Sequence, residues 1–161
     1  MGIYGELIME LEHIVNYRKV SDTISTAGQP TRSELELLSE KGFETVVNIA
    51  MDDSDGAIPE EEDILTGHGL EYHHIPVVWE NPQQYQLDQF FDLMDRIKGQ
   101  KTFVHCAKNY RVSAFMYLYY ILRLGLDEKH AKGVMLPEWS PDHTWTDFIQ
   151  TALNQAKHKS S

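Results

Sequence analysis

Cysteine is scarce in this sequence: one residue, Cys106, among 161. A single thiol excludes an intramolecular disulfide and suits a reducing compartment, so a cytoplasmic setting is the expectation. Long apolar runs are also missing. No stretch approaches the ~20 residues that a membrane helix needs. The opening Met1-Gly2-Ile3-Tyr4-Gly5-Glu6 has no basic stretch leading into an apolar core, so neither a membrane partner nor a secretory signal is expected. Positive charge is in short supply, with 14 Lys and Arg against 25 Asp and Glu, a formal net charge of -11. Such acidity argues against nucleic acid, whose phosphates select basic surfaces. It leaves room for an anionic small substrate at a locally positive site. What is present is the composition of a globular chain, 42% hydrophobic and 24% charged. The length is that of one ordinary domain, so residues 1–161 are expected to form a single unit.

The pattern along the chain alternates between strand and helix. Leu7, Met9, Leu11, Ile14 and Val15 are roughly helically spaced and predict a short opening helix. Thr23 to Ala27 alternates like a strand and stops at Gly28-Gln29-Pro30. Thr31, with Glu34 three residues on, forms the capping-box pattern of a helix that Gly42 closes. Thr45-Val46-Val47-Asn48-Ile49 is a β-branched run fit for a buried strand. Asp52 to Gly56 is an acidic loop, Pro59 opens a helix with Glu60, Glu61 and Glu62 in its first turn, and Gly67 and Gly69 end it. Tyr72 to Val78 predicts a strand, Leu87 to Ile97 a helix and Lys101 to His105 another strand. From Val112 to Leu124 the chain is apolar nearly all round, the mark of a fully buried helix. Helical stretches near Asp127–Met135 and Asp142–Lys157 finish it. This alternation predicts an α/β fold with a central, mostly parallel sheet of four or five strands flanked by helices, Val46–Ile49 and Thr102–His105 central.

Active sites in such sheets lie beyond the carboxyl ends of strands. Phe103-Val104-His105-Cys106-Ala107-Lys108-Asn109-Tyr110-Arg111-Val112-Ser113 is such a place, running from a buried strand through a polar loop into the buried helix. A thiol attacks as its thiolate, a form favoured beside cations and at a helix amino terminus. Amides of Ala107, Lys108, Asn109 and Tyr110 pointing inward would make an anion cradle. Arg111 could grip two oxygens of a phosphate. The bland alternatives are a cysteine serving as a small buried hydrophobe and an arginine serving in a surface ion pair. His105 reads as a buried orienter of the loop. Lys108 reads either as a solvated side chain or as an attractor of anions.

Val104-His105-Cys106…Arg111, followed by a hydroxyl residue and an apolar helix, resembles the signature loop of cysteine-dependent protein tyrosine and dual-specificity phosphatases. Ala27-Gly28-Gln29-Pro30-Thr31, Val46-Val47-Asn48-Ile49 and Tyr72-His73-His74-Ile75-Pro76-Val77 fall in the order seen in a bacterial phosphatase-like family. That family is related to the one fused to β-lactamase-like hydrolases. The resemblance spans about Thr23 to Leu124. It implies a protein-tyrosine-phosphatase-like fold, a cysteinyl-phosphate intermediate on Cys106, and a phosphorylated protein or small phosphate ester as substrate. It further implies Ser113 as the hydroxyl that helps the cysteine leave, and no metal or organic cofactor. The loop departs from the common pattern: four residues separate Cys106 from Arg111 instead of five, and the usual glycines are missing, although Asn109 tolerates a left-handed backbone. Rhodanese-type sulfurtransferases resemble the shorter spacing, so a Cys106 persulfide chemistry stands as the alternative.

Phosphatases of this kind also use an aspartate on the loop after the preceding strand as general acid. Here that loop reads Val77-Val78-Trp79-Glu80-Asn81-Pro82, with Glu80 as the nearest carboxyl group. The missing aspartate keeps open a third reading, a phospho-ligand-binding module without catalysis. His73 and His74 are adjacent on a strand and face opposite sides, a poor arrangement for a metal. Trp139 and Trp145, with Met135 and Phe148, read as core packing. The acidic run from Asp52 to Glu62 reads as a solvated loop and helix start whose loop part could border the site. Gln29 and Asn48 are candidates for holding loops there.

Overall fold

The computed structural model describes residues 10–160. Its centre is a five-stranded sheet with the order β1-β2-β5-β3-β4. The strands are β1 (Arg18–Lys19), β2 (Ile24–Ala27), β3 (Thr45–Asn48), β4 (Glu71–His74) and β5 (Thr102–His105). Four run parallel, and only β1 pairs antiparallel, with Arg18 opposite Thr26. Between and after them lie α1 (Arg32–Glu40), α2 (Glu61–Gly67), α3 (Gln84–Arg96), α4 (Tyr110–Leu122), α5 (Glu128–Ala131) and α6 (His143–Ser160). β3 and β5 are central and buried along their whole length. This agrees with the β-branched run that predicts them. One apolar cluster joins the α3, α4 and α6 face of the sheet around Phe90, Phe115 and Trp145. A second, around Leu35, Leu38, Leu65 and Phe103, fills the α1 and α2 face.

Local chemistry sets the element ends. Thr31 accepts from the Glu34 amide and Glu34 answers at the Thr31 amide, completing the expected capping box. β4 ends at His74, short of the predicted Val78, because Pro76 cannot donate to a ladder. α3 begins at Gln84, before the predicted Leu87, because Gln83 and Gln86 exchange cap hydrogen bonds. α4 starts two residues earlier than its apolar run, at a left-handed Asn109 with φ 70° and ψ 8°. The stretch after Leu126 forms α5 and then a 3-10 turn, Lys132–Val134.

The opening helix is corrected. Leu7 and Met9 lie outside the described residues, Leu11–His13 is one 3-10 turn, and Arg18–Lys19 is an edge strand. Asn16, with φ 51°, turns the chain between them. Ile14 still uses its predicted apolar character and is buried in the second cluster. Among the described residues no helix is long and apolar enough to cross a membrane.

Candidate active site

Because β2, β5 and β3 run parallel in register, Ala27, His105 and Asn48 line up at one end of the sheet. Cys106 follows His105 at that edge and is 1% exposed. Its loop is fastened from both sides. The Gln29 amide donates to the Ala107 carbonyl at 2.9 Å, and the Cys106 amide reaches the Ala27 carbonyl at 3.4 Å. Gly28 is needed here, since a Cβ would sit 2.5 Å from the Ala107 oxygen and 2.6 Å from Val15 Cγ1. The Asn16 side-chain amide donates to the Lys108 carbonyl at 2.9 Å.

Asn109 turns this loop into α4. Its Nδ2 donates to the Asn16 carbonyl at 2.9 Å and to Thr26 Oγ1 at 3.1 Å, and its Oδ1 accepts from Ser113 Oγ at 3.4 Å. The first intrahelical bond is Ser113 N–H to the Asn109 carbonyl. The amides of Tyr110, Arg111 and Val112 therefore precede the helical ladder, and the dipole of a thirteen-residue helix points at the loop. Ser113 Oγ also accepts from the Leu136 amide at 2.9 Å. Its hydrogen bonds thus support Asn109 and the segment after α5.

Arg111 is 6% exposed. Nη1 donates to the Val77 carbonyl at 2.7 Å, and Nη2 reaches Ser54 Oγ at 3.3 Å. These bonds hold the guanidinium between the loops after β4 and β3 and commit two of its five donors. Lys108 is exposed and lies 3.9 Å from Asp55. The loop after β3 does border the site, through Ser54 and Asp55. Tyr110 stacks on Trp139 with ring centres 5.3 Å apart and planes 5° apart. Trp139 and Trp145 pack as predicted, with Trp145 wholly buried.

Beneath the loop lies a buried pair that corrects one reading. Glu61 belongs to the acidic run read as solvated, yet it is 2% exposed and meets His105 Nε2 at 2.6 Å. His105 Nδ1 stands 3.2 Å from the Cys106 carbonyl, so the buried His105 touches both Glu61 and the cysteine loop. Gln29 Nε2 donates to the other Glu61 oxygen at 2.9 Å. Burial pushes the Glu61 carboxyl up, but the facing His105 and the hydrogen bonds from His105 and Gln29 outweigh it. The carboxyl is held below its ordinary value of 4.5. The overlooked signal was spacing: Glu61 and Leu65, four residues apart, fall on one face of α2, and Leu65 is buried. Asn48 also holds a loop, accepting from the Ala50 amide and donating to the Tyr72 hydroxyl. Asn16 and Ser54 carried no sequence signal, since each acts through contacts far away in the sequence.

Glu80 lies on the loop whose Val77 carbonyl holds Arg111. Its side chain is exposed and lines a groove of about 270 Å³ with Asn81, Gln84 and, on α6, Thr144 and Asp147. Neighbouring Trp79 packs at 6.2 Å from Tyr110.

A parallel sheet with a cysteine loop feeding a buried helix, and an arginine at that helix's first turn, is the architecture of the protein-tyrosine-phosphatase fold. The chain belongs to the family described as DSP-PTPase phosphatase fused to NAD+ kinase, whose model matches residues 12–134. It is similar to a DUF442 candidate phosphatase from Shewanella putrefaciens CN-32, at 29% identity and a TM-score of 0.80, covering 91% of this chain and 96% of that one. It shares its fold with Tk-PTP in the active form, at 18% identity, a TM-score of 0.73 and coverage of 87% and 97%. It also shares it with P. aeruginosa TpbA bound to phosphotyrosine, at 16% identity, a TM-score of 0.62 and coverage of 91% and 85%. Comparison with the curated proteins gives no match.

Proposed function

We propose that this protein is a cysteine-dependent phosphate-monoester hydrolase, with Cys106 as nucleophile. The observation that carries the reading is the position of Arg111. It is held by Val77 and Ser54 at the start of α4, five residues after Cys106, a position from which its remaining donors and the helix dipole would serve an anion bound at the cysteine loop. Membership of a dual-specificity phosphatase family supports it, as does the phosphotyrosine complex of a protein of the same fold. In the reaction, Cys106 Sγ forms a bond to phosphorus while the ester P–O bond breaks and the leaving oxygen takes a proton from a carboxylic acid. Water then attacks the cysteinyl-phosphate and gives a proton to the carboxylate, the P–S bond breaks, and phosphate and thiolate are released. Arg111 and the amides of Ala107 to Tyr110 stabilise charge on the phosphoryl oxygens throughout. Ser113 keeps the loop in shape through Asn109 and assists departure of the thiolate.

Glu80 is proposed as the proton donor, on the loop that also holds Arg111. Asp55 is the second carboxylate to consider, because it approaches the catalytic loop, 3.9 Å from Lys108. Turnover of aryl phosphates with good and poor leaving groups separates them. Loss of the acid should slow poor leaving groups by roughly 10²–10⁴-fold and activated ones far less. If Glu80→Gln shows that pattern and Asp55→Asn does not, Glu80 is the acid; the reverse assigns Asp55. Cys106→Ser should abolish hydrolysis of every ester. Robust thiosulfate turnover without phosphate-ester turnover would instead identify a sulfurtransferase.

A further inference from the structure

Beside the catalytic loop runs a groove of about 300 Å³ that the hydrolysis of a phosphate ester does not use. One wall is Arg18 on β1, and the other comes from the segment Lys132 to Pro141, in which Leu136, Pro137 and Trp139 line the groove and the exposed Glu138 does not. Three observations set it apart. First, on a chain of net charge -11 its lining holds two cations, Arg18 and Lys132, and no carboxylate. Among the described residues neither cation has an acidic partner; Arg18 Nη2 donates instead to the Gly133 carbonyl at 2.8 Å. Second, Arg18 is half-buried, and its Nε, sheltered from solvent, is without a hydrogen-bond acceptor among the described residues. A buried donor left unpaired is costly, so native structures seldom keep one without a reason. Third, both walls are tied to the catalytic loop. Asn16, two residues before Arg18, exchanges hydrogen bonds with Lys108 and Asn109. The Leu136 amide donates to Ser113, and Trp139 stacks on Tyr110.

From these we infer that the groove is a substrate-docking subsite for acidic residues flanking the phosphorylated residue of a protein substrate. The inference rests on the phosphatase reading and specifies its substrate class. The guanidinium and ammonium would receive a carboxylate, and Met135, Pro137 and Trp139 would carry the adjoining aliphatic or aromatic surface. A peptide is favoured over a compact phosphate ester because no residue from Cys106 to Arg111 lines the groove, so a ligand that reaches both must extend beyond a single small ester. The position of Trp139, stacked on a residue of the catalytic loop, couples occupancy of the groove to the loop itself.

The test uses two phosphotyrosine peptides, one flanked by glutamates and one by glutamines, each labelled for fluorescence anisotropy. Both are titrated into the full chain carrying Cys106→Ser, then into the same chain with Arg18→Gln and Lys132→Gln added. The glutamate peptide should bind the first protein about tenfold tighter, because charge-assisted hydrogen bonds are the strong ones. That preference should weaken with salt and fall to about one in the second protein. Binding of the glutamine peptide to both proteins controls for folding. An equal affinity for the two peptides, a preference that survives the added substitutions, or no binding of either peptide would overturn the subsite. Turnover of 4-nitrophenyl phosphate by the unmodified chain tests the phosphatase reading separately. If that turnover is absent while the glutamate preference holds, the catalytic reading fails and the subsite stands.

Discussion

Asn109 makes the turn from the cysteine loop into α4 without a glycine. It takes a positive φ and spends its side chain on Asn16, Thr26 and Ser113, so the turn is fixed by hydrogen bonds as well as by backbone. Asn109→Gly would keep the backbone and lose the bonds; Asn109→Ala would lose both. We therefore expect Asn109→Ala to destabilise the fold by roughly 2–4 kcal/mol in urea unfolding, and Asn109→Gly by clearly less. Equal losses would mean that the left-handed backbone carries no strain. Gly28 poses the complementary case. A methyl group there meets the Ala107 oxygen at 2.5 Å, so Gly28→Ala should lower kcat/KM for aryl phosphates by displacing the loop. Unchanged kinetics would show that this approach is not needed. The sequence made Asn109 readable, because asparagine is the usual non-glycine in that conformation. It hid Glu61, since three glutamates in a first turn look like a solvated start until the apolar spacing around the middle one is weighed.

At the scale of elements, what periodicity could reach was largely legible. The all-round apolar stretch gave α4, and Val112, Phe115, Met116 and Leu118 are indeed fully buried. Phe115, which meets Phe90, Trp145 and Phe148, should cost about 3–5 kcal/mol when cut to alanine, read from denaturant unfolding. A loss below about 1 kcal/mol would contradict its place in the core. The two-residue strand β1 was not legible, because an element that short has no period to detect. It is defined by pairing with β2 and by the turn at Asn16, both of which depend on the finished sheet.

For the molecule as a whole, the buried His105–Glu61 pair links the acidic loop-and-helix layer to the cysteine loop, and this gives the fold a signature in pH. A carboxyl held below 4.5 when folded takes up a proton more readily once unfolded. Its contribution to stability is thus complete above the unfolded value and lost as pH falls through the lower folded one. Urea midpoints should fall from about pH 5 downward, and Glu61→Gln should be less stable at pH 7 but show a flatter acid limb. An unchanged acid limb in that variant would remove Glu61 from the account. The parallel sheet, its central strands and the place of the cysteine loop were foreseen from the sequence. The docking of the loop after β3 onto Arg111 was not, because it rests on one serine whose partner lies 57 residues away. The central claim is that Cys106 carries the phosphoryl group during turnover. It is tested most directly by rapid acid quench of the protein mixed with an activated aryl phosphate, followed by peptide mass spectrometry. The account predicts one added phosphoryl group on the peptide containing Cys106, absent in Cys106→Ser and depleted in Arg111→Ala. Steady turnover with no phosphoryl group on Cys106, or with one on another residue, would contradict it.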